Sequence, residues 1–308
     1  MSAAQPLAAT ETIDHRYLGI DTWQAGDVLS ALLDGQRRAV DAVEQAIPAL
    51  ARAAELAAGR LRAGGRLIYL AAGSPALISL SDALELPGTY GVPRDRLLLI
   101  FAGGHAITEN LTGADEDSEE KAVAEIAAAA VGPSDCLIAT SASGSTPFTV
   151  AGLRAARAAG AATIGIAGNP EAPLLSAAEV PVLLATGGEV ISGSTRMGAG
   201  TAQKAALNML STLTCMRLGH VHDGMMVNVK ADNEKLRRRA ERIVSRITGV
   251  EPTTAGEALR QSDGEVKPAI LIAAGVGNLA AAEELLGRTE GNVRSALAAI
   301  QAKAGGQD

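Results

Sequence analysis

The feature that most constrains this chain is a series of five strand-length apolar runs: 66–71 (RLIYLA), 96–102 (RLLLIFA), 135–140 (DCLIAT), 162–167 (ATIGIA) and 180–185 (VPVLLA). They are apolar at successive rather than alternate positions, so both faces of each need cover, as inside a parallel sheet. Alanine-rich helical stretches, 119–130 and 148–159 among them, lie between the runs. Strand, helix, strand at this spacing predicts a doubly wound, mainly parallel α/β sheet. Before it, Val40, Val43, Ile47 and Leu50 recur at three- and four-residue steps and predict a helix with one buried face, kinked or split at Pro48. After it, 198–218 reads as a long buried helix and 232–247 as a more polar one. The run Lys235-Leu236-Arg237-Arg238-Arg239 is then a solvated face, because Glu234 and Glu241 interleave. Beyond residue 249 a weak repeat of period 27 sets Gly264, Val266, Lys267, Ala269 and Ile270 against Gly291, Val293, Arg294, Ala296 and Leu297. The expected organisation is an N-terminal helical segment (1–64), an α/β domain (65–249) and a small helical C-terminal domain (250–308).

The residues that follow each run carry the functional signal. They read AAGSPA, AGGHAITEN, TSASGSTP, AGNPEAP and ATGGEVISGSTRMGAG. Small, hydroxyl-rich loops at the carboxyl ends of parallel strands are where open α/β sheets bind ligands. Glycine lets backbone N–H groups approach a ligand, and a helix N-terminus favours an anion. Neither GxGxxG nor GxxxxGK[ST] occurs, which argues against a nucleotide. Hydroxyls around a helix start suit a phosphate monoester on a small molecule. A formal net charge of −7 argues against a nucleic-acid surface. One Trp, three Tyr and two Phe are too few for a stacking platform. No apolar run approaches the roughly 18 residues of a membrane span, and no secretory signal is visible at the N-terminus. Cys136 and Cys215 lie apart in apolar stretches and read as reduced core residues of a cytoplasmic protein.

Histidines offer little chemistry. His220 and His222, in GHVHDG, have no evident third metal ligand and are read as structural; His105 follows a strand and is expected beside the ligand pocket. No GxSxG elbow supports a Ser-His-Asp hydrolase. The carboxylates are better candidates. Glu85, in SDALELPGTYG, has Leu84, Leu86 and Pro87 as neighbours, which predicts partial burial and a raised pKa suited to acid–base work. Glu116, in GADEDSEE, reads on its own as an acidic helix start. Glu189 is a third acid, beside Ser192, Ser194 and Thr195.

The segments SASGSTP (141–147), GEVISGSTRMGAGTAQK (188–204) and LNMLST (207–212) resemble the N-acetylmuramic acid 6-phosphate etherase family, within the sugar-isomerase (SIS) phosphosugar-binding fold. Thr10-Glu11-Thr12, GRLIYLAAG, SDALELPGTYG and Asn233-Glu234-Lys235-Leu236 fit it as well, so the likeness runs from about residue 10 to 300. The resemblance implies cleavage of the D-lactyl ether at C3, giving N-acetylglucosamine 6-phosphate and D-lactate in cytoplasmic cell-wall recycling. It also implies a homodimer and no metal or organic cofactor. Carried over by position, Glu85 is the principal acid/base residue and Glu116 the second acid, with Asp115 the alternative under a one-residue shift. Ser141, Ser143, Ser145 and Thr146 match the hydroxyl loop that grips phosphate, and Ser74 matches part of a first phosphate loop. Glu189 and Ser194 complete the expected substrate-binding set.

The chain departs from the family where a GTSGRLG-like turn is usual. It has Gly73-Ser74-Pro75-Ala76-Leu77-Ile78-Ser79, with Ser145 and Gly198 standing where arginine and lysine are common. Two rival readings stand beside the etherase: a phosphosugar-binding regulator without catalysis, which the altered first loop favours, and an aldose–ketose isomerase with Glu189 as base.

Overall fold

The computed structural model describes residues 12–104, 113–229 and 233–304. In chain order the elements begin with α1 (Ala25–Arg62), β1 (Leu67–Ala71), α2 (Ser74–Tyr90), β2 (Leu97–Phe101), α3 (Gly113–Glu116), α4 (Glu119–Ala128) and β3 (Cys136–Thr140). Next come α5 (Pro147–Ala158), β4 (Ala162–Ala167), α6 (Pro173–Ala177), β5 (Val180–Leu183) and α7 (Gly198–Arg217). The chain finishes with the short strands β6 (Val221–His222) and β7 (Met225–Met226), then α8 (Glu234–Thr248), α9 (Pro252–Gln261), α10 (Val266–Ala273), α11 (Leu279–Arg288) and α12 (Val293–Ala304). All five apolar runs are strands, in the order β2-β1-β3-β4-β5 and parallel throughout.

The chain falls into two compact units, Met1–Leu84 with Arg94–Thr212, and Glu85–Pro93 with Leu213–Asp308. This cuts the chain differently from the three successive segments expected, because the end of α7 and the 85–93 stretch group with the C-terminal helices. In the first unit every residue of β1, β3 and β4 is buried, while the edge strands β2 and β5 are only partly so. One sheet face, with Ile68, Leu70, Leu137 and Ala139, packs against Ile126 of α4, Phe148 and Leu153 of α5 and Leu174 of α6. α1 lies along β1, β3, β4 and β5.

The buried face of α1 is Ala39, Val43, Ala46, Leu50, Ala53, Ala54, Ala57 and Ala58. Val40 and Ile47, expected there too, are 51% and 47% exposed. The true stripe steps 39, 43, 46, 50, so alanine supplies half of what a search for large apolar residues assigned to Val40 and Ile47. α1 also continues through Pro48 as one helix instead of splitting. Proline removes a single intrahelical bond, and the packed face on both sides carries the helix across it.

In the second unit, α8, α9 and α10 share a core of Val227, Ile243, Val244, Leu259, Val266 and Ile270. Leu271, Ala282, Leu285 and Ala296 join α10, α11 and α12. α8 starts at Glu234, capped by the Asn233 side chain, which accepts from Leu236 N at 3.0 Å; the expected start at Asp232 lies outside the described residues. The period-27 repeat is structural. Asp263 and Glu290 have φ of 52° and 51°, and the next residues, Gly264 and Gly291, have φ of 81° and 72°. Gly264 N donates to Leu259 O, and Gly291 N to Leu286 O, both at 2.8 Å. Two successive residues at positive φ end α9 and α11 identically, and glycine at the second position makes the turn affordable.

Candidate active site

The strand order reverses between β1 and β3, which pair in parallel with Ala71 beside Thr140. The crevice at the carboxyl ends of two such strands is where an open sheet receives a ligand. The loops that leave them carry Gly73-Ser74 and Ser141–Thr146.

The second loop is organised by Ser141, which is 2% exposed. Its Oγ accepts from Gly144 N at 3.0 Å and lies 2.9 Å from Thr146 Oγ1. Ser143 Oγ accepts from Ser145 N at 3.2 Å and from Ser145 Oγ at 3.1 Å. Gly144 has φ of +74°, and a Cβ there would come 2.4 Å from Ala172 Cβ, so the loop needs glycine at its crossing over α6. Asn169 Nδ2 donates to Ser143 O at 2.7 Å and braces the loop from the exit of β4. That residue was not singled out from sequence, although its AGNPEAP segment was. Thr146 is the N-cap of α5 with Pro147 behind it, and no side chain caps the first turn. Hydroxyls of Ser143, Ser145 and Thr146 therefore surround a helix N-terminus whose N–H groups favour an anion. Ser141 lies beneath them as scaffold.

In the first loop Gly73 has φ of +61°, and a Cβ on it would sit 2.9 Å from Glu116 Oε1. Glu116 thus lies against the loop that ends in Ser74, the half-buried first residue of α2. Burial, and then the neighbouring charge of Asp117, raise the Glu116 pKa above the ordinary carboxylate value. Asp115 is instead ion-paired with Lys121. His105, expected near this pocket, lies outside the described residues, as do Thr10 and Glu11.

Glu85 is exposed in the single chain, contrary to the burial predicted from its neighbours. Leu84 is 58% exposed and Leu86 only 3%. On a helix adjacent residues point about 100° apart, so flanking leucines do not report on the residue between them. α2 is held in place one turn earlier. The buried carboxylate of Asp82 accepts from Tyr69 Oη at 2.8 Å, Asn208 Nδ2 at 2.6 Å and Ser211 Oγ at 3.1 Å. This anchor also escaped the sequence reading.

Glu189 is 4% exposed, and its two oxygens accept from Gly198 N and Ala199 N, both at 2.8 Å. It caps α7 from nine residues upstream. These two bonds give Glu189 a structural role at the start of α7. Ser194 is half-buried in the turn that follows Glu189, where its N–H donates to Ile191 O at 2.9 Å. In the second unit, burial and then the Lys267 charge lower the His220 pKa to about 3, against the hydrogen bond to the Tyr90 carbonyl. His222 Nε2 lies 3.6 Å from Asp223 Oδ2. Cys136 and Cys215 are buried free thiols, and burial pushes Cys136 up to about 12.

The sequence has well-matched relatives among known proteins. The SIS domain model matches residues 33–168. The chain is 44% identical to an N-acetylmuramic acid 6-phosphate etherase of Deinococcus radiodurans over 90% of its own length and 92% of the relative's. It is 46% identical to one from Symbiobacterium thermophilum over 82% of its length and 84% of that relative. A solved phosphoheptose isomerase from Francisella tularensis is 18% identical, with a TM-score of 0.47 over 63% of this chain and 98% of that one. Identity at the level of the first two, along nearly whole chains, makes this chain a member of the N-acetylmuramic acid 6-phosphate etherase family.

Proposed function

We propose that the chain cleaves the D-lactyl ether of N-acetylmuramic acid 6-phosphate by elimination and water addition, releasing N-acetylglucosamine 6-phosphate and D-lactate. The observation that carries this reading is the crevice between β1 and β3. There a hydroxyl-rimmed helix N-terminus lies on one strand's exit loop, and an acid of raised pKa, Glu116 of α3, packs against the other's at Gly73. The sugar phosphate is anchored by Ser143, Ser145, Thr146 and the first N–H groups of α5, with Ser74 contributing from the start of α2. This remote anchor supplies binding energy that positions C2 and C3 of the open-chain sugar.

The C2 proton of that form is acidified by the adjacent aldehyde, and a carboxylate removes it. Lactate leaves from C3 with a proton from a general acid, and water adds to the unsaturated aldehyde. Glu85 is assigned the principal proton transfers and Glu116 the supporting role, a choice over Asp115 that is supported by the ion pair holding Asp115 to Lys121. An exposed Glu85 makes a poor acid–base group by itself, and a second subunit is the cover that this reading supplies. Leu29, Leu33, Val40 and Ile47, all exposed, step along the outer side of α1 at intervals of four and seven, an apolar stripe suited to a homodimer. Buried free thiols suit the reducing cytoplasm.

The test is D-lactate release from N-acetylmuramic acid 6-phosphate, beside product affinity. Glu85→Gln should abolish release, by at least the roughly 10²–10⁴ of a general acid–base step, with affinity nearly unchanged. Glu116→Gln should be damaging but milder. If Glu116 must be ionised, turnover rises with pH through its raised pKa, and the Gln variant loses that limb. Absence of lactate release from the parent protein would overturn the reading, and light scattering checks the dimer.

A further inference from the structure

Lys267 is the second residue of α10 and is only 8% exposed. Among the described residues no ion pair or hydrogen bond engages its ammonium, and burial alone acts on its pKa, lowering it to about 8. Its counterpart in the repeat behaves oppositely: the Arg294 side chain is 66% exposed and paired with Asp223. Lys267 lines a cavity of about 440 Å³ whose walls include Gly91, Asn228, Glu265, Glu283 and Gly291. Gly291 has φ of +72°, and a Cβ there would come 3.3 Å from Lys267 Nζ. Asn228, another residue of the wall, is held by donating to Tyr90 O at 2.9 Å.

An ammonium buried without a partner is costly, and a hydrocarbon of the same length fills such a site at lower cost. Here the ammonium fronts a cavity large enough for a small molecule, which gives the charge something to meet. The surrounding charges narrow what that is. Glu265 and Glu283 are exposed residues of the wall, and His220, on which the Lys267 charge acts, is held neutral by burial. One buried cation makes one ion pair, which a single carboxylate completes. The second charge of a phosphate dianion has no cation to meet among these wall residues and faces Glu265 and Glu283. We propose that this cavity binds a small molecule bearing one carboxylate and no second anionic group, its carboxylate pairing with Lys267. The proposal does not rest on the etherase reading, although D-lactate is one such molecule.

Calorimetric titration of the intact protein with acetate, D-lactate and inorganic phosphate tests it. Saturable binding of acetate and D-lactate is expected, weaker by about tenfold or more in Lys267→Met, the scale of a lost charge-assisted bond. In the parent protein, affinity should fall as pH rises above about 8, where the amine loses its proton. That pH series needs no variant, so it decides the matter even if Lys267→Met folds poorly. The proposal is overturned by an absence of saturable carboxylate binding, by an affinity that stays flat from about pH 7 to 9.5, by unchanged binding in a folded Lys267→Met, or by tighter binding of phosphate than of acetate.

Discussion

Glu189→Gln separates a residue that builds the site from one that touches substrate. Both Glu189 oxygens receive backbone N–H groups at 2.8 Å from the first two residues of α7, and the side chain is 4% exposed. Glutamine keeps the shape and one acceptor but turns an NH2 group toward a donor. The loss is one hydrogen bond to a charged group, about 1.5–3 kcal/mol. To this is added a charge–dipole contribution of about 0.3–2 kcal/mol at a buried helix start. Burying a neutral amide instead of a carboxylate returns part of that, so a net loss of about 2–4 kcal/mol is expected. Urea denaturation at neutral pH reads it as a lower midpoint with an unchanged slope. Glu85→Gln, an exposed change on α2, should stay within about 0.5 kcal/mol of the parent. A Glu189→Gln protein of parental stability that had lost phosphosugar affinity would refute the cap and make Glu189 a substrate ligand.

Ser141→Ala removes the buried hydroxyl that links Gly144 N and Thr146 Oγ1, so N-acetylglucosamine 6-phosphate affinity should fall by about tenfold, with a stability loss of about 1–2 kcal/mol. Isothermal titration checks the affinity, and parental affinity would show that the outer hydroxyls hold their places without it. Asp135, 4% exposed, accepts from Arg66 Nη2 at 2.8 Å, Arg66 N at 3.0 Å and Gly132 N at 3.1 Å. Burial works to raise its pKa, and these bonds outweigh burial and hold it below the ordinary value. Its contribution is therefore complete above the unfolded pKa of about 3.9 and is lost as pH falls through the lower folded one. Asp135→Asn should cost about 2–4 kcal/mol at pH 7, a gap that narrows below about pH 4 in urea titrations; a gap independent of pH would remove the carboxylate from the explanation.

The sheet was legible because its inner strands β1, β3 and β4 are buried on both faces and its edge strands partly so. Unbroken apolar runs mark all five within a residue or two. β4, 162–167, agrees at both ends. The hydroxyl loop was legible for a related reason: SASGSTP joins one of those strands to a proline-started helix, and each residue type serves that junction. Helix faces were harder to read. A buried alanine such as Ala46 leaves no hydrophobic signal, and the exposed Ile47 beside it leaves a strong one.

Glu85 and Glu189 show why acids were harder still. Glu85 looked buried from Leu84 and Leu86, and Glu189 looked like one polar residue among several in a glycine- and serine-rich segment. The structure exposes the first and buries the second. A side chain's surroundings on a helix are set by residues three and four away and by elements distant in sequence. Neither kind of neighbour is visible to a reading of adjacent letters. The partners of Glu189 lie nine and ten residues on, and those of Asp82, one turn before Glu85, come from β1 and α7. The environment that would make an exposed Glu85 effective therefore has to come from outside its own stretch of helix, and a second copy of the chain or a bound sugar are the candidates to supply it. If the subunit supplies it, dilution to monomer should lower turnover along with the dimer fraction. If the sugar does, turnover per chain should be independent of protein concentration.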